Sequence, residues 1–298
     1  MQGLHDFIPT DKKAAYINQL LKCGFDTIDF GSFVSPKAIP QLRDTAEVLS
    51  LLDYTSETKL LAIIGNERGA EEAAHFEEID YLGFPFSVSE VFQKRNTNAT
   101  IEESLSKLEV IQSICKKNNK DLVVYLSMGF GNPYGETWNA EIVQKWCEIL
   151  YHSFDVKIQA VSDTIGKASV SDVSYLFSAL IPALPNVEFG AHLHTKPENA
   201  KDLIEAAYTS GCRRFDGAIK GFGGCPMATD ALTGNMPTEK LLEWLEANSI
   251  PTGINPVHFE KAYLQAGLLL PQEEESLTVR ATRDAMAKLD ANPERLLA

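Results

Sequence analysis

The sequence predicts an α/β protein of the TIM (β/α)8-barrel type, and three observations point there. Short apolar runs alternate with helical patterns along the whole chain, as in a parallel sheet built from βα units. No linker-like tract of Pro, Ser and Gly interrupts that series. The polar residues able to do chemistry gather just after the apolar runs, at the strand ends where such a barrel carries its site. Seven strands are visible, and the first clear element is a helix with no strand before it. A closed barrel of this kind needs eight strands, so the expected architecture has its first β-strand missing, upstream of Met1. A doubly wound open sheet is the alternative, but no G-x-G-x-x-G or Walker loop accompanies it.

Residues 11–23 place Ala14, Ile17, Leu20 and Leu21 on one helical face, and Gly24 is a natural stop. Residues 25–30 read as a strand and 39–52 as a helix with Leu42, Ala46, Leu49 and Leu52 in register. A buried strand at 59–64, a short helix at 69–76 and a strand at 79–84 follow. Thr100-Ile101-Glu102-Glu103 is a capping box opening a helix that carries Leu105, Leu108, Ile111 and Ile114. Strand 122–126, helix 138–150, strand 156–161 and helix 171–180 continue the alternation. An apolar run from Val187 then ends in His192-Leu193-His194, followed by a helix over 197–208 closed by Gly211. The last strand is 213–218, and helices at 238–246 and 256–268 complete the unit. Residues 1–270 are therefore read as one barrel, and 271–298 as a charged, helical C-terminal tail.

Composition limits the partners. With 27 basic and 41 acidic residues the formal charge is −14, which repels phosphate backbones and anionic lipid; neither nucleic acid nor membrane is expected. A local cluster of bound metal and Arg still reverses the sign inside a pocket, so an anionic substrate is allowed. The N-terminal residues lack the basic and apolar regions of a signal peptide, and no apolar run has the length of a membrane span. Five widely spaced cysteines without a C-x-x-C fit reduced thiols in a cytoplasmic protein.

In a strand, residues i and i+2 share a face, so His192 and His194 present two imidazoles side by side. Such a pair suits a divalent metal; a hydrogen-bonded surface pair is the other reading. The remaining strand ends carry Asp29, Asn66, Tyr125, Ser127 and Asp163, and the last is followed by Gly221-Phe222-Gly223-Gly224-Cys225-Pro226 and Gly234-Asn235. Taken singly, Asp29 and Asp163 read as helix N-caps and Asn235 as a turn residue. Their convergence on one barrel mouth is what points to a site. A thiol in a Gly-Gly-Cys-Pro loop beside a metal could ionise or act as an acid, and the glycines would let that loop close over substrate.

These motifs resemble those of the 3-hydroxy-3-methylglutaryl-CoA lyase family, a branch of the metal-dependent lyase and condensing-enzyme barrels. The similarity runs from Gln2 to about residue 270. Gly221-Phe222-Gly223-Gly224-Cys225-Pro226 is its most specific part; Ser32-Phe33-Val34-Ser35-Pro36-Lys37, Asp163-Thr164-Ile165-Gly166, His192-x-His194 and Gly234-Asn235 occur in the family's order. The resemblance implies cleavage of 3-hydroxy-3-methylglutaryl-CoA to acetyl-CoA and acetoacetate with Mg²⁺ or Mn²⁺. By the same resemblance His192, His194 and Asn235 are metal ligands and Cys225 is the catalytic thiol. Asp163 and Asp29 support the metal and substrate shell, the family usually having Glu in place of Asp29. Gln2, Asn66, Tyr125 and Ser127 fall to substrate binding. A homodimer or larger homo-oligomer with an acyl-CoA substrate is implied.

The chain also departs from the family pattern. An Arg-Asp pair that normally ends the first strand is absent, since the chain begins after it; the expectation for the chain as written is weak metal binding and impaired lyase activity. Lys220, Met227 and Thr195 replace the usual neighbours of the cysteine loop and of the second His. A Claisen-type condensing enzyme of the same superfamily and a non-catalytic or CoA-binding barrel stay open as alternatives.

Overall fold

In the computed structural model, residue 1 and residues 6–223 and 233–270 are described; Gln2, Cys225 and the tail at 271–298 lie outside them. The described chain alternates α1 (Thr10–Leu21), β1 (Thr27–Ser32), α2 (Thr45–Leu49), β2 (Lys59–Ile63), α3 (Glu67–Ala74), β3 (Tyr81–Ser87), α4 (Glu90–Thr97) and α5 (Ile101–Lys117). It continues with β4 (Asp121–Ser127), α6 (Ala140–Phe154), β5 (Ile158–Asp163), α7 (Val170–Ala183), β6 (Glu188–Leu193), α8 (Ala200–Thr209), β7 (Arg214–Asp216), α9 (Thr238–Ala247) and α10 (Pro256–Leu269). Among the described residues the seven strands form one parallel sheet in sequence order, β1 to β7. That is the order a (β/α) barrel requires.

The sheet curls. Laid flat, β1 and β7 would stand six strand spacings apart, roughly 29 Å at about 4.8 Å each. Instead, Asp29 on β1 feels the charge of Asp216 on β7, and α1 packs against α10. The pleat then sorts side chains onto two faces. Ile28 and Phe30, Leu60 and Ala62, Leu82, Phe84 and Phe86, Val124 and Leu126, and Ala191 and Leu193 join the layer between strands and helices. The alternate residues Leu61, Tyr81, Val123 and Ile158, with Ile63 and Tyr125 against them, fill the inside of the curl. A register shift between Asp29 and Gly31 bends β1 at the rim.

Three elements differ from the sequence reading. The predicted helix over 39–52 breaks into a 3-10 turn at Pro40–Leu42 and the short α2. The Thr45 hydroxyl bridges the break, donating to the Leu42 carbonyl at 2.7 Å and accepting from the Ser32 amide at 3.1 Å. Helix α4 has no counterpart in the reading because its residues are mostly polar. Its ends were nevertheless marked, by Ser89 accepting from the Phe92 amide and by Asn98 in the left-handed region. Strand β7 keeps only three of the six predicted residues, since after Asp216 the backbone at Ala218 pairs instead with Pro237.

The N-terminal segment is fastened to the loop after β1 by a buried ion pair. Lys13 and Asp44, 2% and 6% exposed, meet at 2.7 Å. The Lys13 ammonium also donates to the Gln41 carbonyl, and the Thr10 hydroxyl donates to Asp44 at 2.8 Å. Removing one partner strands the other charge in a dry site. Lys13→Met is expected to destabilise the fold by about 3–5 kcal/mol, whereas Lys13→Met with Asp44→Leu recovers most of that loss; urea denaturation of the two variants checks it.

Candidate active site

The site is built where β6 and β7 end. Ala191 and Leu193 are committed to the outer layer, so His192 points into the curl. His192 lies opposite Asp216 in the β6–β7 register, and its Nδ1 is 3.0 Å from the Asp216 carboxylate. The Tyr125 ring meets the His192 ring edge-on, with centroids 5.3 Å apart, and the two imidazole rings are 5.5 Å apart. His194, 5% exposed, is held differently. An antiparallel bridge sets it against Asn235, secured by Thr195 N–H to Gly234 O and Met236 N–H to Leu193 O, both 2.9 Å. Burial and the neighbouring His192 lower the His194 pKa to about 4, so its imidazole is neutral at physiological pH. Its Nδ1 is buried without a hydrogen-bond partner.

Asn235 joins this pair through its amide. Its Nδ2 donates to the Phe222 carbonyl at 2.8 Å and its backbone N–H donates to the Gly221 carbonyl at 3.1 Å. The two backbone stretches are pressed together: a Cβ added at Gly234 would lie 2.5 Å from the Gly221 carbonyl oxygen. With Nδ2 so occupied, the side-chain hydrogen bond between Asn235 and His194 falls to Oδ1, an acceptor.

Asp29 completes the mouth from the opposite edge of the sheet. Its side chain reaches solvent at the rim but has protein on most sides. That desolvation, with the charge of Asp216, raises its pKa to about 7, against a lowering influence from His192. Tyr125, inside the curl, has a phenol pushed well above its usual range by burial and by Asp216 and Asp29. Ser127 ends β4 on the face that carries Tyr125 and is buried.

Two expected residues are engaged elsewhere. Asp163 turns its carboxylate to the loop after β5, accepting the Lys167 and Ala168 N–H groups at 2.8 and 2.9 Å. Asn66 caps α3, accepting the Gly69 N–H at 2.9 Å. Asp216, in contrast, went unremarked in the sequence. The available signal was Arg214-x-Asp216 on a short strand, two alternate charged residues that a parallel register carries to the face of His192.

Among the described residues no three His, Cys, Asp or Glu side chains stand close enough together to hold a metal ion. The donors present nevertheless suit one: a buried, neutral imidazole at His194 whose Nδ1 has no partner, a second imidazole at His192 whose Nδ1 is already tied to a carboxylate, and the amide oxygen of Asn235 beside them.

Fold and mouth together define a (β/α)-barrel protein with its chemistry at the C-terminal strand ends. Residues 1–263 match the family model described as HMGL-like. The chain is 33% identical over 248 residues to hydroxymethylglutaryl-CoA lyase YngG of Bacillus subtilis, covering 83% of this chain and 82% of that protein. Its fold superposes on the crystal structure of the Bacillus subtilis HMG-CoA lyase with a TM-score of 0.85 at 30% identity, covering 95% of this chain and 94% of that one. It also superposes on an Acinetobacter baumannii HMG-CoA lyase in complex with coenzyme A and 3-methylmalate, with a TM-score of 0.83 at 30% identity over 94% and 90% of the two chains. The chain belongs to the HMGL-like family.

Because Asp163 satisfies two backbone donors while only 1% exposed, Asp163→Ala is expected to cost about 1–3 kcal/mol in thermal or urea unfolding. Asp163→Asn, which keeps one acceptor, should cost less.

Proposed function

We propose that the protein cleaves 3-hydroxy-3-methylglutaryl-CoA to acetyl-CoA and acetoacetate. The observation that carries this reading is the mouth itself: His192, His194, Asn235 and Asp29 converge there in a chain about 30% identical, over most of its length, to HMG-CoA lyases. The acyl-CoA is read as the partner of the site. Among the described residues no helix is long and apolar enough to cross a membrane. A cytoplasmic setting and a homodimer or larger homo-oligomer complete the proposal.

His192, His194 and Asn235 would hold the divalent cation, Mg²⁺ or Mn²⁺. When bound, such an ion acidifies a hydroxyl and offsets the charge of a neighbouring carboxylate. Asp29, with its pKa near 7, is suited to take the proton of the tertiary hydroxyl. As that O–H electron pair becomes the new ketone C=O, the C2–C3 bond breaks and its electrons pass to C2, delocalised onto the thioester as an enolate. Cys225 then gives its thiol proton to C2, which releases acetyl-CoA and leaves acetoacetate. Tyr125, whose phenol is held neutral, can donate a hydrogen bond without losing its proton, and with Ser127 it forms the wall against the acyl chain. Asp163 serves by fixing the loop after β5.

Acetoacetate release from 3-hydroxy-3-methylglutaryl-CoA with added Mg²⁺ tests the assignment, and a chain that folds and binds Mg²⁺ but releases no acetoacetate would refute it. Cys225→Ala is expected to abolish turnover while leaving Mn²⁺ binding within about twofold of wild type. A base must be ionised to act. With the Asp29 pKa raised to about 7, kcat/KM should therefore climb as pH rises through about 7 and level off above it. Asp29→Asn should lower the plateau by roughly 10²–10⁴-fold and remove that inflection, as read from pH–rate profiles of both proteins.

A further inference from the structure

Asp216 lies outside the residues given roles above, and its surroundings assign it one. We propose that Asp216 is the positioning residue of the mouth, fixing the tautomer and ring plane of His192 so that Nε2 is the nitrogen presented to ligands. The parallel register places Asp216 directly opposite His192, on the same face of the sheet. The carboxylate stands 3.0 Å from Nδ1. A carboxylate only accepts hydrogen bonds, and a neutral imidazole carries one N–H, so the proton sits on Nδ1 and the lone pair on Nε2.

The ring has little freedom to turn away. Tyr125 meets it edge-on at an interplanar angle of 76°. Below the pair on the same face, Arg214 faces Asp216 and is itself bonded to Glu188 at 3.1 Å. Glu188, Arg214, Asp216 and His192 thus form one column of alternating charge and hydrogen bonding, from an exposed Glu188 at its foot to His192 at the mouth. His194 is held differently: its Nδ1 is buried with no partner, and its hydrogen bonding runs to the Thr164 backbone and the Asn235 side chain. A carboxylate thus sets His192, whereas His194 is held by a backbone group and an amide.

The test reads the histidine itself. ¹⁵N NMR of the histidine-labelled chain at neutral pH is expected to show His192 as the Nδ1–H tautomer, and Asp216→Ala should move it toward the Nε2–H form. The metal arm rests on the functional reading above and uses Mn²⁺ alone, titrated by EPR. Asp216→Ala should weaken its binding on the order of 10–100-fold. Asp216→Asn keeps an acceptor of the same shape but drops the charge. It should hold the Nδ1–H tautomer and weaken Mn²⁺ by about threefold to tenfold, and it decides the matter if the alanine variant does not fold. An unchanged tautomer in Asp216→Ala, or Mn²⁺ affinity in Asp216→Asn equal to wild type, overturns the proposal. If the wild-type chain binds no Mn²⁺, the metal reading fails while the tautomer still decides the role of Asp216.

Discussion

The curl of the parallel sheet is the constraint on which everything else in this protein depends. Parallel strands need crossover helices, and those helices cover one face of the sheet. The opposite face then has to close on itself to keep Leu61, Tyr81, Val123 and Ile158 out of water. Closing it carries the first and last strands toward each other, and with them two carboxylates, Asp29 and Asp216, whose repulsion contributes to the raised pKa of Asp29. The site is therefore a product of the same packing that makes the core. Its residues come from distant parts of the chain because the rim collects one end of every strand.

That rim is uneven in how firmly it holds its side chains. His192 is gripped by Asp216 and Tyr125, and Asn235 by two backbone carbonyls on its amide and main-chain N–H groups. Asp29 has solvent on one side and sits on the bulged part of β1. A proton-transfer group gains from such a place, because partial desolvation brings its pKa toward neutrality without requiring full burial. The proposed ligating groups gain from the reverse, a side chain held in a fixed plane.

How much of this could be read from the sequence follows from what each signal encodes. The βα alternation and the strand-end position of His192 and His194 depend on local periodicity, and both are present in the structure. The pairing of His194 with Asn235 had only the order of motifs behind it, yet the two lie directly opposite. Helix α4 was hidden by its polarity, and the break before α2 depends on Thr45, whose partners Ser32 and Leu42 become neighbours only after folding. Asp163 also reads as a helix N-cap, yet its carboxylate binds the loop before α7, whose cap is Ser169; Asn66 reads as a strand-end polar residue and caps α3. Asp216 was invisible for a related reason. Its meaning lies in a β6–β7 register that links residues 24 positions apart.

The same register explains why the mouth keeps a carboxylate that takes no proton in the proposed reaction. A strand as short as β7 contributes few backbone hydrogen bonds, so its placement beside β6 draws on side chains as well. Arg214 bonds Glu188 across the strands below, and Asp216 bonds His192 above. The two contacts alternate in sign along the strand, and a one-residue slip would turn both residues to the outer layer, where neither has a partner. The contact that orients His192 thus also pins the strand that supplies it. Fold and site share one interaction at this edge, and a substitution at Asp216 acts on both through the same hydrogen bond.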